Sequence, residues 1–198
     1  MKKTILTILF LTAITLNAQT VKPIENYFEF KSSDNIYFKD VNNHYNKFLG
    51  DWEVTDGLHY VKIKIKKVPR VEQGLTSNGR RMMKIRRFVD QIVIECLYKY
   101  NGNEVYNTMG NNPNISNFCL GQILNNSNKL ELMYLEPYTG CGRNRTGWLV
   151  LTYVTNSNQQ LQWTRTEELS KDPETLCPDN QVDITPYKIP ANLTFTKL

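Results

Sequence analysis

Histidine is scarce in this chain of 198 residues, with His44 and His59 as its only two. They fall in different segments with no cysteine near either, and no Cys-x-x-Cys occurs, so the ligand spacings of metal sites are missing. Gly-x-Ser-x-Gly, the turn on which a serine nucleophile sits, is missing too. Carboxylate pairs can be assembled from Glu95, Glu131, Glu136 or Glu167, but nearly any chain offers such a set, and Glu95 and Glu131 alternate with apolar neighbours as solvent-facing residues do. The expectation is a protein that is not an enzyme and that needs no cofactor or metal.

Repeats, heptads and low-complexity tracts are also lacking, and no apolar run reaches the roughly 20 residues of a membrane helix. The run from Ile5 to Leu16 follows Lys2 and Lys3 and leads to Ala18, the layout of a cleaved export signal over residues 1–18. No cysteine follows that cut, so no lipid or other stable membrane anchor is expected, and the mature chain belongs in the periplasm or outside the cell. A net charge of +5, lower once Lys2 and Lys3 are removed, is too small to predict nucleic acid as a partner. The basic residues of "NGRRMMKIRR" lack the aromatic interleaving that base stacking needs.

What is present suits one globular domain: 40% hydrophobic and 11% aromatic residues predict a single core. Residues 19–36 are polar and without period, and read as a flexible arm or a strand added to an edge; the domain spans 37–198. In "KDVNNHYNKFLG", Val41, Tyr45 and Phe48 or Leu49 share one stripe of a short helix, with Asp40 as its N-cap and Gly50 as its stop. Strand signals follow. Val61, Ile63 and Ile65 alternate with Lys62, Lys64 and Lys66. Hairpins are predicted at Asp56-Gly57 and Asn101-Gly102, between 118–124 and 129–136, and between 147–154 and 160–167, with a closing strand at 193–197. About eight to ten such strands leave no bare edges if the sheet closes. The fold class predicted is all-β, an antiparallel up-and-down barrel after a short N-terminal helix, with a proline-punctuated excursion over 168–189.

"KFLGDW" resembles the opening of the calycin group, the lipocalins and fatty-acid-binding proteins, in which a short helix precedes Gly-x-Trp on the first strand of a lipocalin-like barrel. The resemblance implies that Gly50 and Trp52 are structural, Trp52 plugging one end, with Arg165 or Lys197 as a basic partner across it. "YFKDVNNHYNKFLGDWEV", "YKYNGNEVYNT" and "PANLTFTKL" are similar to an uncharacterised family of small exported proteins, a domain of unknown function from Flavobacterium-like Bacteroidetes. That likeness implies an envelope or secreted location and says nothing about activity.

An exported chain meets an oxidising compartment, where its four cysteines can form one or two disulfides. Cys141 and Cys177 sit in loop-like contexts and are the favoured pair, while Cys96 lies between apolar residues as a small buried hydrophobe. In "LQWTR", Leu161, Trp163 and Arg165 share one face. If that face points inward, Arg165 either anchors the acidic group of a small apolar or amphiphilic ligand in a pocket lined by Trp163, Tyr134 and Tyr98, or lies over Trp52 as a cation–π closure. Two functions follow: an exported module binding such a ligand, or an envelope interaction protein with a solid core, acting through loops such as "GCGRNRTG". A connected apolar void of a few hundred Å³ marks the first.

Overall fold

Alternating apolar and polar residues turn most of the described residues into β-strand. The computed structural model describes residues 19–27, 35–73, 76–77, 80–81, 87–110, 118–124, 128–136, 145–155, 159–167 and 188–198. The expected export signal, Cys141, Cys177 and most of the excursion lie outside these residues. The strands are β1 (Thr20–Pro23), β2 (Ile36–Lys39), β3 (Gly50–Asp56), β4 (His59–Gln73), β5 (Thr76–Ser77), β6 (Arg80–Arg81), β7 (Arg87–Tyr100), β8 (Asn103–Asn107), β9 (Phe118–Leu124), β10 (Lys129–Glu136), β11 (Arg145–Val154), β12 (Gln160–Glu167) and β13 (Asn192–Lys197). Thr20–Pro23, within the segment read as an arm, pairs in parallel with β2, which in turn pairs in parallel with β7.

The order across the main sheet is β1-β2-β7-β4-β3-β13-β12-β11-β10-β9, with β8 paired to β7 beside this path and β5-β6 forming a separate ribbon. From β3 to β13 the chain is an antiparallel meander whose last strand returns to its first, as Thr196 meets Glu53 and Lys197 meets Trp52. The barrel expected from the sequence is nonetheless not closed. β9 runs beside β7 but shares no ladder with it. A strand edge offers one set of hydrogen bonds, and β7 spends its set elsewhere: Arg87 to Val89 pair with β2, Leu97 to Tyr100 pair with β8, and Cys96 accepts from the Thr108 amide at 2.8 Å.

The expected helix before Trp52 is also replaced. Asp40 does accept from the amides of His44 at 2.7 Å and Tyr45 at 3.3 Å, as an N-cap would. The chain then advances by i to i+3 bonds, Asn46 to Asn43, Phe48 to Tyr45 and Leu49 to Asn46, as consecutive turns with Asn43 at φ 55°. Asn42, Asn43 and Asn46 favour such local turns over helix propagation. Gly50, at φ 116°, opens β3 instead of stopping a helix; a Cβ there would sit 3.4 Å from the Lys197 side chain.

One face of the curled sheet forms the core. Ile63 pairs with Cys96 and Trp52, Ile65 with Ile94, Leu151 with Leu130 and Trp163, and Leu161 with Phe195, all of them buried. Lys62, Lys64 and Lys66 alternate outward from β4, as the sequence predicts. Glu95, expected to face water, is buried instead, because the chain after β8 folds back over it: it accepts from Lys66 and from the Gly110 amide. Burial alone would raise its carboxyl pKa, but those two donors bring it below the usual range.

Candidate functional site

The two ends of the sheet differ in chemistry. At the first, Trp52 is fully buried, donates from Nε1 to the Phe48 carbonyl at 2.8 Å, and meets Tyr153 edge-on at 6.4 Å. The Lys197 ammonium lies 5.3 Å from its ring centroid, so the basic partner of Trp52 is Lys197 and not Arg165. Beside it lies a buried carboxylate pair. Asp90 accepts from the Tyr37 hydroxyl at 2.5 Å, the Asp40 amide at 3.0 Å and the Arg70 amide at 3.1 Å. Asp40 accepts from Lys67 at 3.3 Å in addition to its two turn amides. Pro69 breaks the β4 ladder, the register shifts between Val68 and Val71, and Arg70 is left at φ 54°. The Asp90 bond therefore holds a non-glycine residue in the left-handed region.

At the opposite end stand the residues singled out as a ligand pocket. Tyr134 is opposite Gly147 across β10 and β11, and Arg165 is opposite Leu149 across β11 and β12. Gly147 contributes no side chain, and the Arg165 guanidinium reaches to 5.0 Å from the Tyr134 ring centroid. Trp163 meets Tyr134 edge-on at 5.7 Å and Phe195 at 5.9 Å. Arg165, Trp163 and Tyr134 are thus brought together, at 6%, 1% and 0% exposure. Tyr98, 3% exposed in the same core, is fixed by other contacts: its hydroxyl donates to the Lys188 carbonyl at 2.9 Å and lies 2.9 Å from His59 Nδ1. A phenol has one proton, so Nδ1 of His59 is the donor in that second bond.

A cleft of about 490 Å³ opens at this end between β3 and β13, walled by Val54, Thr55 and Asp56 on one side and Asn192, Leu193 and Thr194 on the other, with Gln162, Trp163 and Thr164 behind. Its origin is a divergence of strands. β3 and β13 pair at Trp52 and Glu53, the Leu198 amide donates to Asp51 at 3.0 Å, and beyond Glu53 the ladder stops. Since Asp51 faces β13, every second residue of β3 does so, which aims the amide and carbonyl of Thr55 into the cleft. By the same count Thr194 and Asn192 face it from β13, whereas Ala191, whose carbonyl accepts from the Arg165 amide at 2.8 Å, faces β12. The ladder between β3 and β13 takes in none of Thr55, Asn192 and Thr194. Sequence reasoning missed the cleft, because Thr55, Gln162, Thr164 and Thr194 look like any solvated strand face; the buried carboxylates had a signal in Pro69.

Among the described residues no group of three or more His, Cys, Asp or Glu is placed to hold a metal ion, and no helix is long and apolar enough to cross a membrane. A family model described as a family of unknown function, DUF6705, matches residues 1–198. The chain belongs to that family. No curated protein and no solved structure matched the sequence. Membership in DUF6705 therefore brings an uncharacterised family over the full chain and no activity with it.

Proposed function

We propose that the protein is an exported, non-catalytic binding module with a solid core, which recognises its partner at the cleft between β3 and β13 and not by enclosing a lipid-sized molecule. The observation that carries this reading is the contrast, among the described residues, between the packed aromatic side chains and the cleft beside them. Tyr134, Trp163 and Tyr98 are packed inside the sheet, whereas the 490 Å³ cleft opens on Thr55, Asp56, Gln162, Thr164, Asn192 and Thr194. Such a lining offers hydroxyls, amides and one carboxylate, which suits a polar occupant better than an acyl chain. Arg165 then serves the fold, its guanidinium on Tyr134 at one end as Lys197 lies on Trp52 at the other.

The basic, apolar and small residues in succession over 1–18 support export, with the mature chain beginning at Gln19. Gly50, Trp52 and Lys197 support a calycin-like relationship in which the meander stays unlaced at β7 and β9. Nucleic acid, cofactor and membrane anchor have no part in the reading. Native mass spectrometry of the protein purified from its own host tests it. Bare protein over several preparations is the expected result; a co-purifying lipid that is lost in Arg165→Glu overturns it in favour of an amphiphile carrier.

A further inference from the structure

Resting on the reading of the cleft as the binding site, we infer that its occupant is a segment of a partner protein in extended conformation, which enters as an additional strand between β3 and β13. The backbone supplies the first reason. Besides its side chains, the cleft sets two edges of one sheet facing each other, with Thr55 on one wall and Asn192 and Thr194 on the other. These amides and carbonyls are the groups that a strand pairs with. Volume supplies the second. At about 490 Å³ the cleft falls in the range of roughly 300–1,000 Å³ that takes ligands much larger than a single ion or solvent molecule.

β3 and β13 are antiparallel to each other, so one inserted strand runs antiparallel to one wall and parallel to the other. Its side chains alternate between the outer face, beside Thr55, Gln162, Thr164 and Thr194, and the inner one towards Trp163 and Leu193, which are buried beneath. The partner segment therefore carries small or β-branched residues that enter the cleft, no proline at the residues whose amides meet the walls, and a lysine or arginine where it passes the exposed Asp56 carboxylate.

A displayed library of random linear heptapeptides, panned against the full chain, supplies the probe. Enriched peptides are synthesised and their affinity is measured by fluorescence anisotropy, and hydrogen exchange locates them. Binding is expected to protect the amides of Thr55, Asn192 and Thr194, and to fall at least tenfold in Thr55→Pro, which removes the amide aimed at the cleft while leaving the β4 ladder intact. Should Thr55→Pro not fold, N-methylation of alternate peptide amides removes the complementary bonds, those the peptide donates to the wall carbonyls, with the same tenfold loss expected. Peptides that tolerate both changes, yet are blocked by Asn192→Arg or Thr164→Lys, overturn the added strand and leave the cleft standing as the site. Protection elsewhere, or a library without binders, overturns both. A dimer in sedimentation that Thr55→Pro dissociates assigns the cleft to a second copy of this chain and overturns the foreign partner.

Discussion

The end of the sheet that holds Trp52 and the end that holds Trp163 are built from the same materials and finished differently. Around Trp52 the polar groups are consumed within the chain: Asp40 and Asp90 between them take three backbone amides from the 40–45 turns, the Arg70 amide, a lysine and a tyrosine hydroxyl. Around Trp163 the aromatic packing is as tight, but the β3–β13 ladder takes in none of Thr55, Asn192 and Thr194. Carboxylates buried at 3% exposure are tolerable because each carries several donors. Strand edges left open have no such internal compensation and present a template for pairing. One end therefore fixes the fold, and the other ends in strand edges that the β3–β13 ladder does not cover.

The largest test of that contrast removes the plug. Trp52→Ala takes away a fully buried ring together with its bond to Phe48 and its Lys197 contact, and should cost about 3–5 kcal/mol in urea unfolding followed by circular dichroism. Asp90→Ala should follow at about 3 kcal/mol, since it leaves the Asp40 and Arg70 amides without an acceptor and releases Arg70 from φ 54°. A cost below about 1 kcal/mol for either would mean that the Trp52 end does not hold the fold.

A smaller effect is read against pH. Tyr37 is pushed up to about 12 from 10.0, first by burial and then by its bond to the Asp90 carboxylate. A pKa raised on folding means that the native state keeps a proton which the unfolded chain releases, so this stabilisation is complete below about pH 10 and disappears as pH rises towards about 12. Tyr37→Phe should flatten the alkaline fall of the urea midpoint in that window. Identical slopes for the two proteins would uncouple Tyr37 from Asp90.

Much of the meander is legible in the residues themselves. The strands predicted at 118–124, 129–136 and 160–167 carry the bounds of β9, β10 and β12. Asn101 and Gly102, at φ 49° and 79°, make the expected two-residue turn between Tyr100 and Asn103. Local signals of this kind depend on neighbours in sequence. Closure does not: whether β9 laces to β7 depends on β2 and β8 reaching that edge first, and the pairing of Ile36 with Arg87 leaves no local trace. The helix reading failed because a correct cap and stripe were outweighed by three asparagines. The cleft was illegible for a third reason, since it follows from where a ladder stops and not from any residue type. Arg165 illustrates the limit: its period placed it on the inward face, but its partner there, Tyr134 and not Trp52, is set by the register across β11.

The smallest expected effect is the most informative about the Trp163 end. Thr194→Ala shortens an exposed side chain whose own amide and carbonyl face the cleft and whose neighbours on β12 are undisturbed. The urea midpoint should move by no more than the equivalent of about 0.5 kcal/mol, the range of surface substitutions away from caps, cores and buried networks. Lys197→Gln, at the other terminus of the same strand, should cost more, about 0.5–1 kcal/mol, through loss of the cation over Trp52. β13 thus runs from a residue that the fold does not need to one that it uses, and the ranking of these two substitutions in one unfolding series measures that gradient. Equal costs would mean that the two ends of β13 carry the same structural burden, and that the cleft is a part of the framework and not a surface left open.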